Sequence, residues 1–209
     1  MDSVCSLGAI PAEITGTVGP TAEGPCRLGG LTWEALFTSM FLHGGWAHLI
    51  GNLWFLWIFG TNVEDSMGHL RFVAFYLITA LAAALAHDFM DPGSTVPMVG
   101  ASGAISGIMG AYVVLYPRAR VDTLFFFFFF IRVIPLPAWL MLGYWMLIQI
   151  AGSASTALVG GGGVAYAAHI GGFVAGLILV FLFRNPKLVG AKREGRVLSR
   201  RELDHGGWW

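Results

Sequence analysis

Residues 99–112 read VGASGAISGIMGAY, an apolar stretch with one face of very small side chains. Gly103, Gly107 and Ala111 recur every four residues, which places them on one face of a helix. Such a face lets the backbone of another membrane helix approach closely. The stretch therefore predicts a tightly packed helix with the Ser102 hydroxyl buried near its start. Taken alone, the pattern is also typical of a packing interface in which Ser102 is one more small residue.

The composition predicts a chain whose surface mostly faces lipid. Of its 209 residues, 56% are hydrophobic and only 11% are charged. Soluble domains carry about 25% charged residues. The formal net charge is zero, so the overall charge gives no support for a nucleic-acid partner.

The apolar segments predict an all-α fold, a polytopic membrane helical bundle. A spanning helix needs about 20 apolar residues. The chain offers five predicted spans, at residues 40–60, 71–88, 99–116, 136–152 and 164–183. The domain division that follows is an outer loop segment (1–35), a membrane domain (36–183) and a basic tail (184–209).

The segments between and before the spans have distinctive compositions. Residues 124–131 contain six consecutive phenylalanines but are too short to span, so we predict an interfacial or dipping segment in contact with lipid. Residues 1–31 are predicted to be irregular, and the glycine-rich residues 153–163 to form a flexible cap. Cys5 and Cys26 could pair in an oxidising compartment, but free thiols are the favoured interpretation.

The distribution of positive charge predicts the orientation in the membrane. With five spans, residues 1–39, 89–98 and 153–163 share one side, and Arg27 is their only basic residue. Every other Lys and Arg lies in the remaining joints, at their edge or in the tail. Because basic loops stay in the cytoplasm, the tail is predicted to be cytoplasmic and the first set of segments to face outside.

Polar side chains from three predicted spans fall at one depth near the outer face. Ser102 lies at the outer end of the third span. His169 lies about 8 Å into the fifth span, at 1.5 Å per residue. The outer end of the first span carries His43, His48 and Asn52. Ionisable groups inside a membrane are costly and are candidates for function, although a single one could simply bond a neighbouring helix.

These side chains have the chemistry of nucleophilic catalysis. A serine hydroxyl becomes a nucleophile when a base such as His169 lies within hydrogen-bond reach. The helix of His169 has its own bare face, formed by Ala168, Gly172 and Gly176. No Asp or Glu lies near Ser102 or His169 along the chain, so we predict a Ser-His dyad held by helix packing.

A separate group of donors suits a developing oxyanion. His48 and Asn52 are four residues apart and share one helix face. Together with backbone N–H groups at the start of the Ser102 helix, they could stabilise negative charge on a substrate oxygen. A three-histidine metal site from His43, His48 and His169 is a weaker alternative, since no His-Glu-x-x-His is present and the first two histidines are five residues apart.

Three motifs resemble the rhomboid family of intramembrane serine proteases. Residues 39–52 (SMFLHGGWAHLIGN) resemble the second-helix motif of that family. Residues 100–103 (GASG) resemble its nucleophile motif, and residues 168–172 (AHIGG) resemble its general-base motif. The motifs occur in the family's order, and the likeness extends from about residue 11 to residue 183.

The resemblance implies Ser102 as nucleophile and His169 as general base, with His48 and Asn52 as oxyanion donors and His43 in support. It implies cleavage of single-span membrane proteins near the outer face, after sideways entry between the helices that carry Trp54 and Trp145. The implied partners are transmembrane substrates and the lipid bilayer, with no nucleic acid, metal or cofactor. The implied location is a bacterial plasma membrane, and the oligomeric state is left open.

The beginning of the chain departs from the family pattern. The family core has six helices, and its first helix precedes the region that resembles residues 11–14 here. Either the sequence starts at an internal Met, or the protein tolerates five spans. Our hypothesis is a truncated or mis-started sequence. N-terminal sequencing of the native protein that finds Met1 first would refute it.

Two other classes of function are weighed against a protease. A catalytically inactive relative that binds membrane clients for trafficking or degradation would lack the serine or the histidine, and both are present. A channel or transporter would carry polar residues through the full membrane depth, whereas here they cluster in the outer half.

Overall fold

The computed structural model describes residues 2–17, 24–26, 28–29, 33–127, 130–159 and 165–194. In chain order, its helices are α1 (Asp2–Leu7), α2 (Pro11–Thr15), α3 (Ala35–Thr38), α4 (Trp46–Phe55), α5 (Thr61–Met67), α6 (His69–Met90), α7 (Ser102–Leu115), α8 (Ala138–Val159), α9 (Tyr166–Phe183) and α10 (Pro186–Arg193). A 3₁₀ turn (Ser39–Phe41) precedes α4, and a π-helical turn (Leu56–Gly60) joins α4 to α5. Strands β1 (Arg120–Phe127) and β2 (Phe130–Pro137) form an antiparallel hairpin between α7 and α8.

Helix α7 is the buried centre of the bundle, and every residue from Gly103 to Tyr112 is inaccessible to solvent or nearly so. It packs mainly between α6 and α9. Gly172 of α9 lies against the backbone of Gly103, and Gly176 lies one turn further along against Gly107. The predicted contact between two small-residue faces is therefore present, and it brings two backbones together as only glycine permits.

The outside of the bundle is apolar, as a lipid environment requires. Within the described ranges, α6 and α9 are long and apolar enough to cross a membrane, and α7 is a shorter apolar helix. Large apolar side chains such as Trp57, Ile78 and Leu182 are exposed on the surface. These features fit a helical membrane bundle, while the count of five spans stays a prediction.

The first predicted span is not one continuous α-helix. The chain is irregular through His43 and Gly44, and α4 begins only at Trp46. Gly45 has φ +154°, a value outside the helical region that residues with a side chain rarely adopt, so α4 begins only after it. The π-helical turn at residues 56–60 then separates α4 from α5.

The predicted helical bundle is confirmed as the fold class, and the phenylalanine-rich segment is a β-hairpin within it. Arg120 pairs with Pro137, and Phe127 pairs with Phe130. Aromatic residues favour extended structure, and Pro135 and Pro137 exclude a helix there. Ile131 and Val133 of the hairpin are exposed, and the contact of this segment with lipid stays a prediction.

The prediction of an irregular N-terminus is wrong for its described part. Helices α1 and α2 form there, and Ile10 and Ala12 are fully buried. Ala9 exchanges two backbone hydrogen bonds with Met98, which lies in the segment that leads into α7. A disulfide joins Cys5 to Cys26, so the favoured interpretation of free thiols is also wrong.

The predicted cap and tail are partly helical. Helix α8 continues to Val159, so the cap predicted at 153–163 is wrong over its first seven residues, and residues 160–163 lie outside the described residues. Helix α10 packs against α5, where the Asn185 N–H donates to the Ser66 carbonyl at 2.8 Å and Lys192 pairs with Asp65. Residues 195–209 of the predicted basic tail also lie outside the described residues.

Candidate active site

Ser102 is the first residue of α7, and its hydroxyl contacts a histidine 67 residues further along the chain. Ser102 Oγ lies 2.8 Å from His169 Nε2. The approach follows from the packing of α7 on α9, because Gly172 lies against the Gly103 backbone immediately beside this pair. A larger residue at either glycine would separate the helices and with them the hydroxyl and the imidazole.

His169 lies in the first turns of α9, half-buried between α7 and α8. Its ring centroid is 5.9 Å from that of Trp145, which covers one side of the imidazole. Its second ring nitrogen, Nδ1, lies 2.8 Å from Oε1 of Gln149 on α8. The imidazole is thus held by hydrogen bonds at both nitrogens and by an aromatic neighbour.

Gln149 is the residue that the sequence analysis missed. The sequence prediction named only Asp and Glu as side chains that could orient the imidazole of His169, whereas an amide can also do so. A signal was present, because Gln149 is a polar residue inside the predicted fourth span, near its outer end, and it is only 6% exposed. It lies four residues after Trp145, so both side chains project from one face of α8 toward His169.

His48 and Asn52 project from α4 toward the turn that precedes Ser102. The Gly44 N–H donates to His48 Nδ1 at 3.3 Å, which leaves the Nε2 of His48 to carry the proton. A Cβ built on Gly100 would lie 2.8 Å from that Nε2 and 3.6 Å from Asn52 Nδ2. Two N–H donors therefore converge on Gly100, two residues before the serine.

The Asn52 amide nitrogen is buried and has no hydrogen-bond partner among the described residues. Burying a donor without a partner costs about 1–3 kcal/mol. A buried N–H donor near a serine hydroxyl that contacts a histidine is the arrangement expected of a group that binds a substrate oxygen. Further donors come from the N-terminus of α7, where the first intrahelical bond runs from the Ile105 N–H to the Ala101 carbonyl.

His43 packs against His48. The two rings meet edge to face, with their centroids 5.3 Å apart. The His43 Nε2 is buried and lacks a partner among the described residues. His43 therefore contacts His48, one of the two side-chain N–H donors, and does not contact Ser102. In the part of the chain that the structure describes, no group of three or more His, Cys, Asp or Glu side chains could hold a metal ion.

The serine, its histidine partner and the donors on α4 line a cavity of about 770 Å³. Its lining includes Ser102, His169, His48 and Asn52, together with Trp145 and with His87 of α6. Trp54, by contrast, is 57% exposed on α4. The lateral entrance predicted between the helices of Trp54 and Trp145 stays a prediction.

The combination of an activated hydroxyl, a base and convergent N–H donors can perform acyl transfer. The sequence matches the rhomboid domain family over residues 30–186. It is 31% identical over 175 residues to rhomboid-like protease 5 of Toxoplasma gondii, which covers 82% of this chain. It is 29% identical over 148 residues to the mitochondrial rhomboid protein 1 of Saccharomyces cerevisiae, covering 69% of this chain.

A bacterial relative, the rhomboid protease GluP of Bacillus subtilis, is 42% identical over 88 residues, 41% of this chain. The chain spans 18%, 40% and 17% of the lengths of these three relatives, in the order given. Because the family match covers most of the chain, including every helix from α3 to α9, this protein belongs to the rhomboid family of integral membrane proteins, whose members are generally intramembrane serine proteases.

Proposed function

We propose that this chain is an intramembrane serine endopeptidase that cleaves single-span membrane proteins near the outer face of the bilayer by a Ser-His dyad. The observation that carries the proposal is the 2.8 Å contact between Ser102 Oγ and His169 Nε2 inside a cavity of an apolar helical bundle. A serine and a histidine that merely filled space would not require hydrogen-bond geometry between two different helices.

The dyad would act in two half-reactions. His169 Nε2 accepts the Ser102 proton while Oγ attacks the scissile carbonyl carbon, which gives a tetrahedral intermediate. His169 then donates that proton to the leaving amine, the C–N bond breaks and an acyl-enzyme remains. A water molecule, deprotonated by His169, attacks the ester, and the serine recovers its proton as the new carboxylate leaves.

The oxyanion of each intermediate would be held by donors on α4 and at the start of α7. The proposed donors are His48 Nε2–H, Asn52 Nδ2–H and the Ser102 N–H. Support comes from the convergence of the first two on Gly100 and from the absence of another partner for Asn52 among the described residues. His43 supports His48 through their edge-to-face contact.

Gly100→Ala is expected to lower kcat by about 10²–10³-fold, the effect of losing an oxyanion donor. The new Cβ would lie 2.7 Å from His48 Cε1 and 2.8 Å from its Nε2, so the imidazole must move. Gly100 also has φ +120°, which alanine rarely adopts. Gly93→Ala is the control, since a Cβ there meets nothing within 4 Å. Equal activity of both variants would remove His48 from the proposed donor group.

The proposed orientation follows the distribution of positive charge, with the tail in the cytoplasm and the dyad near the outer face. We place the protein in a bacterial plasma membrane, as the resemblance of its motifs implies. The membrane domain corresponds to residues 36–183, flanked by the outer segment 1–35 and the tail 184–209. Substrates would be transmembrane helices that enter from the bilayer.

The position of the cleaved bond tests this proposal. The purified chain, reconstituted in vesicles, is given a model single-span substrate, and the fragments are identified by mass spectrometry. We expect one main cut within the outer third of the substrate's span or just beyond it. Cleavage confined to the cytoplasmic half of the span would contradict the proposed depth and orientation of the dyad.

A further inference from the structure

Gln149 makes a hydrogen bond to the side of the His169 imidazole that faces away from Ser102. The distance from Gln149 Oε1 to His169 Nδ1 is 2.8 Å, equal to that from His169 Nε2 to Ser102 Oγ. We propose that Gln149 is a positioning residue that fixes the tautomer and the ring orientation of His169. The inference rests on the proposed function, because it assigns a role to a contact of the proposed base.

The orientation of the Gln149 amide is set by its other end. Nε2 of Gln149 lies 3.5 Å from the carbonyl oxygen of Trp145, one helical turn earlier on α8. A carbonyl can only accept, so the NH₂ group belongs on that side. The amide oxygen then faces His169, and it can only accept the Nδ1 proton.

This arrangement leaves the imidazole in the tautomer that a general base needs. With its proton on Nδ1, His169 presents the lone pair of Nε2 to the Ser102 hydroxyl. The opposite amide orientation would supply a donor to Nδ1, move the ring proton to Nε2 and aim an N–H at the nucleophile. A base in that state could not take the serine proton.

The burial of Gln149 adds to the case. The side chain is 6% exposed, and a buried amide without partners is costly. Its hydrogen bonds go to the imidazole and to the backbone of its own helix, so His169 is the only side chain among the described residues to which it bonds. Trp145, on the same face of α8, covers the ring and restricts its rotation.

An amide also suits the surroundings better than the carboxylate found beside the base of soluble triads. A carboxylate inside a membrane carries a desolvation cost of several kcal/mol. A neutral carbonyl oxygen accepts the same Nδ1 proton and places its dipole against the imidazolium that forms during catalysis. The structure therefore assigns to Gln149 the orienting role without a buried charge.

Gln149→Leu tests the role, because leucine keeps most of the volume and removes the acceptor. We expect kcat to fall by about 10- to 100-fold, part of the 10²–10⁴ that general acid–base catalysis contributes. KM should stay close to that of the wild type, since the substrate does not touch Gln149 in this account. The Tm in detergent should fall by only a few degrees, the cost of leaving the His169 Nδ1 proton without an acceptor. Gln149→Met, with a more flexible apolar chain, repeats the test if the leucine variant unfolds at a lower temperature.

Gln149→Glu is the rescue variant, since it retains an oxygen acceptor in either protonation state. We expect its kcat to lie clearly above that of the leucine and methionine variants. Ser155→Ala controls for the loss of a polar group elsewhere on α8, where the side chain is exposed. Equal losses in the Leu and Glu variants, or a wild-type kcat for Gln149→Leu and Gln149→Met, would overturn the inference.

A parallel series separates this inference from the proposed function. Ser102→Ala and His169→Ala are assayed beside the Gln149 variants on the same substrate. If both are inactive while Gln149→Leu is fully active, only the role of Gln149 fails. If Ser102→Ala cleaves like the wild type, the proposed function itself fails, whatever the Gln149 variants do.

Discussion

Replacing Ser102 with alanine is expected to lower the rate of cleavage of a single-span substrate by about 10³-fold or more, the scale of losing an activated nucleophile. The substitution removes only the hydroxyl group, whose Oγ lies 2.8 Å from Nε2 of His169, the proposed base. Its loss leaves the packing of α7 intact, so the Tm should change little. The measurement is single-turnover cleavage in detergent, followed by the appearance of both fragments.

Ser106→Ala is the matched control for that substitution. Ser106 lies one turn further along α7 and donates its hydroxyl proton to the Ser102 carbonyl at 2.7 Å. Its removal deletes the same atom from the same helix but leaves the candidate dyad unchanged, so activity should stay within about fivefold of the wild type, as for a change near a site that touches no reacting atom. Similar activity of Ser102→Ala and Ser106→Ala would contradict the proposed nucleophile.

Replacing Gly176 with alanine is expected to destabilise the bundle by about 2–3 kcal/mol, the scale of overpacking in a rigid core. The added Cβ would lie 2.6 Å from the carbonyl carbon and 2.7 Å from the Cα of Gly107. These are backbone atoms of a buried helix, so they cannot yield as a flexible side chain would. The Tm in detergent should fall by about 5–10 °C for a chain of this size.

Gly143→Ala is the control for this change, because it makes the same substitution in another helix. A Cβ on Gly143 of α8 would meet nothing within 4 Å. Alanine is also the better helix former, by about 0.5–1 kcal/mol. The Tm of Gly143→Ala should therefore equal or exceed that of the wild type. A Gly176→Ala protein as stable as Gly143→Ala would show that α7 and α9 do not pack at the backbone distance described.

The same pattern of small residues explains why the core of this structure could be predicted from the sequence. Glycines four residues apart on two apolar segments limit the contact to those two faces, and Gly103 does lie against Gly172. Once the faces meet, the depths of Ser102 and His169 follow from counting residues along two helices. Helix contacts of this kind depend on local periodicity, which a sequence displays directly.

Other features depend on which neighbours the chain meets, and the sequence does not display those. The acceptor for His169 Nδ1 comes from α8, and only the rotation of that helix brings Gln149 to the ring. The six phenylalanines have no helical or strand periodicity, so an interfacial segment and a hairpin could not be separated. The pairing of Cys5 with Cys26 depends on the folding of α1 and α2, whose apolar content is too small for a sequence signal.

The break before α4 was also beyond sequence reasoning. Residues 40–60 are apolar enough for one helix. In the structure the chain is irregular at His43 and Gly44, and it becomes helical only after Gly45, whose φ is +154°. The irregular segment bears on the proposed donor group, because its Gly44 N–H donates to Nδ1 of His48. A continuous helix would have used that N–H within its own backbone.

The most direct test of the account is modification by a fluorophosphonate, which reacts with activated serines without needing a bound substrate. The experiment measures which residue is modified and at what rate. The purified chain is treated with the reagent, digested and examined by mass spectrometry, beside His169→Ala. We predict modification of Ser102 in the wild type and a rate at least about 10²-fold lower in His169→Ala, the scale of general-base catalysis. Modification of another serine, or an equal rate in the two proteins, would contradict the claim that His169 activates Ser102.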